Sequence, residues 1–136
     1  MTKKTTSFKL VAQDKTGELL LNQITYLGDG TYRCELNVNS NGFMCQREFG
    51  FDNDEFFLAK IHDVMISQPH SRAELTNLQT DNYIRFEPFG QDTILTSGFI
   101  TEVNNVTQSI EFAFTVTVDA LKTFVTAFEK MVRANI

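Results

Sequence analysis

The side chains that could do chemistry in this chain are few and widely spaced. His62 and His70 are its two histidines, and Cys34 and Cys45 its two cysteines. No CxxC occurs, and no pair of these residues has the spacing of a zinc site. His70 stands in "PHSR" (69–72), which lacks the strand–turn–helix setting of a nucleophile elbow. No Walker loop, GxGxxG, HExxH or EF-hand loop is present. "GDG" (28–30) is too short to cradle a phosphate. Asp52, Asp54 and Glu55 cluster, but general acid–base work needs carboxylates held in a cleft with shifted pKa values. Their position before an apolar helical stripe reads first as capping and dipole stabilisation. Tyr26, Tyr32 and Tyr83 lie on alternating segments, where they serve cross-strand packing or a binding surface. The sequence therefore predicts a protein without enzymatic activity and without a metal or other cofactor.

Bulk properties narrow the partner. The chain has 136 residues and a formal charge of −5, and its pI is about 4.9. One domain spanning 1–136 can bury roughly two-thirds of the surface its unfolded chain exposes, so no metal or disulfide is needed for folding. An acidic balance argues against a nucleic-acid ligand, which needs a basic stripe, and against an anionic membrane surface. It suits a basic protein partner. "MTKKTTSFKL" has no apolar run behind its lysines, and no stretch has the length to span a bilayer, so a cytoplasmic location is expected. Phenylalanine occurs 13 times and tryptophan not at all. Phe buries area with no polar tip to satisfy, which reads as core packing before a ligand cage.

Periodicity supplies the frame. "SFKLVA" (7–12) and "ELLLNQITYL" (18–27) read as a hairpin around "QDKTG", with Gly17 free to take positive φ. "TYRCELNV" (31–38) alternates, with Tyr32, Cys34, Leu36 and Val38 on one face. "NSNG" (39–42) predicts a four-residue hairpin loop that places Cys34 opposite Arg47 and Cys45 opposite Leu36. The cysteines are then diagonal neighbours and stay reduced. Arg47 interrupts the apolar side of "FMCQREFGF" (43–51) unless it lies near an edge or pairs. After Phe51 the period changes: Phe57, Ile61, Val64 and Met65 form a helical stripe over about 53–66, closed by Pro69.

The second half repeats the order. Strands are predicted at 73–79, 82–89, 92–103 and 109–116, and Pro88 marks an edge or strand end. Ile110, Phe112, Phe114 and Val116 share a face. Leu121, Phe124, Val125, Phe128 and Val132 then follow helical spacing over about 119–133, with Thr117 or Asp119 as cap. The expected fold class is α+β: antiparallel sheets of about eight strands with two helices packed on them. "FGFD" and "FAFT" fall 63 positions apart. A ββββα pseudo-repeat and simple coincidence both fit that spacing.

The segments "YRCELNV", "GFMCQREFGFDNDEFFLAKI", "AEL", "GFITEV" and "QSIEFAFTVTVDALKTFVTAF" together resemble the WapI-type immunity proteins of bacterial polymorphic-toxin systems, over roughly residues 18–132. The resemblance implies a protein that neutralises a cognate toxin domain by occlusion. An acidic contact surface is then expected at Asp52, Asp54, Glu55 and Asp63, and a homodimer is left open. The alternative is a module that binds a small ligand or peptide in a Phe-lined concavity between sheet and helix.

Overall fold

The computed structural model describes residues 5–52 and 55–135, with Glu55 described only in its backbone. Sheet A runs β1 (Thr6–Val11), β2 (Gly17–Gly28), β3 (Thr31–Ser40) and β4 (Phe43–Asp52), in the order β1-β2-β3-β4. Helix α1 (Glu55–Met65) follows. Sheet B is β5 (Ala73–Thr76), β6 (Tyr83–Phe89), β7 (Asp92–Val103) and β8 (Val106–Val116), again in chain order, and α2 (Val118–Ala134) closes the chain. All pairings are antiparallel. The α+β class is as predicted, and each half is four strands followed by one helix.

Tight turns of φ-positive residues make these meanders. Asp29–Gly30, Asn41–Gly42 and Asn104–Asn105 all have positive φ, the type I′ geometry that matches strand twist. The "NSNG" expectation is corrected here. Ser40 already pairs with Phe43, so the loop is the two residues Asn41–Gly42. That moves the register by two: Cys34 faces Phe49, Cys45 faces Val38, and Leu36 faces Arg47. The cysteines are then four residues apart along the ladder, about 13 Å, beyond disulfide reach. Both are free thiols.

Burial separates the two thiols. Cys34 is buried and Cys45 only partly so. Burial, with a smaller push from Glu35, raises the Cys34 thiol to about 12. At pH 8 a thiol reagent is expected to label Cys45 promptly and Cys34 only as the protein unfolds, because the thiolate is the reacting form. Two fast-reacting thiols in the native protein would contradict this register.

Gly17 departs from its expected role as well. Lys15, not Gly17, carries the positive φ of that turn, and Asp14 Oδ1 accepts from the Thr16 N–H and hydroxyl there. Gly17 opens β2, where a Cβ would stand 3.0 Å from the Asn39 carbonyl and 3.1 Å from the Phe114 ring. It is small for close approach rather than for its dihedral freedom.

The core lies between the sheets and the two helices. Ten phenylalanines are buried, and only Phe43, Phe56 and Phe89 are exposed. On α1, Phe57, Ile61 and Val64 are buried and Met65 packs against the core. On α2 the buried set is Leu121, Phe124, Val125, Phe128 and Val132, and Thr117 caps the helix by accepting the Ala120 N–H. Helix α2 packs on β1, β7 and α1, while α1 packs on β5 and β6. Two hydrogen-bonded seams join the sheets: Gln13 N–H to the Thr115 carbonyl, and Leu78 N–H to the Gly50 carbonyl.

Two side-chain expectations meet the limits of this core. Arg47 sits on the exposed stretch of β4, an edge strand, and donates to the Gln46 carbonyl. The shared face of β8 is buried only at Phe112, Phe114 and Val116. Ile110 is exposed because the β7–β8 hairpin overhangs the core. Pro88 lies beyond the four residues of β6 that β5 covers, so its missing N–H costs no ladder bond.

Candidate functional site

A cleft of about 330 Å³ opens between sheet A and the C-terminal end of α2. From the sheet, Thr6, Phe8, Ile24, Tyr26 and Tyr32 line it; from the helix and its cap, Ala127, Lys130, Met131, Ala134 and Asn135 do. Its position follows from a phase change in β2. Leu19 and Leu21 face inward before Asn22–Gln23, and Ile24 does so after it. Gln23 adopts φ 53, and the register slips between Asn22 and Thr25. That one-residue bulge re-aims every later side chain. Ser7 secures it, accepting the Gln23 N–H at 3.0 Å and donating to Asn22 Oδ1. Ile24 and Tyr26 thereby turn toward α2.

Tyr26 and Tyr32 are direct cross-strand partners, with ring centroids 5.1 Å apart. Tyr32 also stacks on its other partner, Phe51, at 5.3 Å. The Tyr26 hydroxyl accepts the Gly30 N–H at 3.1 Å, which leaves its own proton to donate. The Tyr32 hydroxyl differs. Tyr32 is 1% exposed, and its Oη has no hydrogen-bond partner among the described residues. Asn135 stands close enough to stabilise a phenolate slightly, but its amide is aimed at the Met131 carbonyl at 3.0 Å. Burial outweighs that influence and pushes the Tyr32 phenol above its ordinary value. Buried hydroxyls almost always have a partner. The Tyr32 hydroxyl is instead left with its proton free to donate.

The concavity expected between sheet and helix is present, but tyrosines give it its character. Phe8 is its one phenylalanine. The other buried phenylalanines went to the core, as their lack of a polar tip dictates. Sequence reasoning named Tyr26 and Tyr32 without bringing them together. The break from Leu19 and Leu21 to Ile24 and Tyr26 was the signal that would have done so.

Other candidate residues lie elsewhere. Tyr83 is on sheet B, where its hydroxyl donates to Glu111 and the Arg85 guanidinium sits 4.6 Å above its ring. His62 is exposed on α1, 3.4 Å from Glu129 Oε2. Arg133, bonded to the same carboxylate, holds Glu129 below its usual range. His70 occupies an exposed turn at φ 62, and Ser71 Oγ is tied to the Gln68 carbonyl at 2.6 Å. Asp52 ends β4, exposed, and accepts from Thr31 Oγ1 at 3.2 Å. Asp54 and the side chain of Glu55 lie outside the described residues. Asp63 is half-buried on α1, about 12 Å along the helix axis from Glu55. Among the described residues, no group of three or more His, Cys, Asp or Glu could hold a metal. No described helix is long and apolar enough to cross a membrane.

No protein-family model matches the chain, and no curated protein matches it either. In fold, the chain is similar to a solved structure of the plant transcriptional regulator PBF-2, at TM-score 0.56 and 9% sequence identity, covering 97% of this chain and 82% of that one. Identity that low speaks to shared architecture alone.

Proposed function

We propose that this protein is a non-enzymatic binding module that takes a small ligand in the cleft between sheet A and the end of α2. The observation that carries the reading is the unpartnered Tyr32 hydroxyl beside a mostly apolar wall. Ligand sites are concave and mostly apolar, with a few polar groups that fix orientation. A volume of about 330 Å³ falls at the small-molecule end of that range. Rigid strands hold both tyrosines, so the site is formed before a ligand arrives, which lowers the ordering cost of binding.

The test is a ligand-observed and protein-observed NMR screen of small apolar compounds carrying one hydrogen-bond acceptor. Binding is expected to move the Ala127 and Met131 methyl resonances. Ala134→Phe, an exposed change that fills the mouth of the cleft, is expected to abolish those shifts. Shifts that persist in that variant, or none in the wild type, would remove the proposal.

Tyr32→Phe separates a site from a packing residue. An orphan buried hydroxyl costs its desolvation, so removing it is expected to stabilise the unliganded protein by about 1 kcal/mol. That is a rise of roughly 3 °C in Tm for a chain of this size. Affinity for a ligand that accepts from this hydroxyl should fall. A Tm that drops would mean the hydroxyl has a partner in the free protein.

A further inference from the structure

We infer that the ligand is a small apolar molecule bearing one carboxylate, an inference that rests on the ligand-binding reading above. The chain carries 17 acidic residues against 12 basic ones, yet no Asp or Glu lines the cleft. Among the described residues, its one charged lining residue is Lys130. Lys130 is exposed and has no ion-pair partner among the described residues, although the acid beside it, Glu129, has two. The Thr6 hydroxyl and the Asn135 side-chain oxygen also line it and can accept, while the two phenols can donate to a ligand. The Tyr32 hydroxyl has no partner among the described residues, and the Tyr26 hydroxyl, which accepts from Gly30, keeps its proton to donate. Two phenol protons and an ammonium, set in walls of Phe8, Ile24, Ala127 and Met131, call for an acceptor-only, negatively charged head on an apolar body.

A cation ligand would find no counter-charge there. One feature opposes an anion: the last carbonyls of α2 carry partial negative charge. That opposition is blunted. Asn135 donates through its backbone to the Val132 and Arg133 carbonyls and through Nδ2 to the Met131 carbonyl. Lys130 and Arg133 add positive charge over the final turns.

The experiment compares 4-phenylbutyrate with its neutral amide and with 4-phenylbutylamine, each titrated into the intact protein and followed by calorimetry and methyl NMR. The carboxylate is expected to bind at least tenfold tighter than the amide, and the amine not at all. Lys130→Gln should erase most of the acid-over-amide preference, and Lys130→Arg should retain it. Tyr32→Phe should weaken the acid while the protein melts no lower. Equal binding of acid and amide, or a preference for the amine, overturns the carboxylate assignment and leaves the cleft as a ligand site. Acid binding that Lys130→Gln leaves unchanged also overturns it. No binding by any of the three, with Ala134→Phe indistinguishable from wild type, overturns both.

Discussion

Phe128→Ala is expected to remove about 3–5 kcal/mol of stability, a large part of the 5–15 kcal/mol a domain usually has. Phe128 is 3% exposed, and its ring meets four others. Phe8 lies at 6.0 Å on β1, Phe51 at 5.8 Å on β4, Phe57 at 5.4 Å on α1 and Phe124 at 5.6 Å one turn back on α2. Phe124 continues the chain of rings to Phe86 on sheet B at 5.8 Å. One side chain thus joins sheet A, both helices and, through its neighbour, sheet B. A cavity at that junction cannot collapse without moving three elements, which places the loss at the high end for Phe truncation. Urea unfolding should show a lower midpoint at unchanged slope. Phe128→Leu should show a smaller loss and keeps the comparison open if the alanine variant does not fold. Phe89→Ala, at a residue 61% exposed, should stay within about 0.5 kcal/mol of wild type. A Phe128→Ala loss under 2 kcal/mol would mean that the ring junction is not the structural centre.

The fold was legible where one physical signal ran without interruption. Both helices were placed by their apolar spacing, and the five buried residues of α2 were all named from it. Of the two caps the sequence offered, Thr117 and Asp119, it is Thr117 that accepts a first-turn N–H. Signals failed where a single residue changed the phase. The two-residue Asn41–Gly42 turn shifts the β3–β4 register by two, and counting "NSNG" as loop hid that shift. The bulge at Gln23 depends on Ser7, sixteen residues away, so no local pattern discloses the contact. The site depends on that bulge. Tyr26 and Tyr32 could be named, but what makes Tyr32 a candidate is an absent partner, and absence of a partner is a property of packing rather than of order along the chain. The acidic positions show the opposite limit. Asp52 and Asp63 stand out in sequence, yet acidic side chains at a strand end and along a helix are ordinary on any protein surface, so their types carry little information about a partner.

Asn82→Ala is expected to cost about 1–3 kcal/mol, by a route that apolar patterning does not reveal. Backbone pairing between β6 and β7 ends at Tyr83 and Gly98, but β7 runs on to Val103. The next N–H of β7 that needs a partner on that side belongs to Ile100. Asn82 Oδ1 accepts it at 2.7 Å, so a side chain extends the ladder one rung past its backbone. Asn82 is 5% exposed, and alanine would leave that N–H facing a wall with no acceptor. The effect should spread. The Asn82 carbonyl accepts the Asn77 N–H at 2.9 Å, Asn77 Nδ2 reaches the Glu48 carbonyl at 3.2 Å, and Leu78 N–H reaches the Gly50 carbonyl at 2.9 Å. Asn82 therefore braces the loop by which sheet B holds the edge of sheet A. Native-state hydrogen exchange distinguishes this from a general loss of stability. In Asn82→Ala, the amides of Ile100 and Leu78 should exchange faster by more than the global change, while the Phe49 and Leu95 amides follow the global change alone. Uniform acceleration across all four amides would show that Asn82 fills space and does not brace the seam.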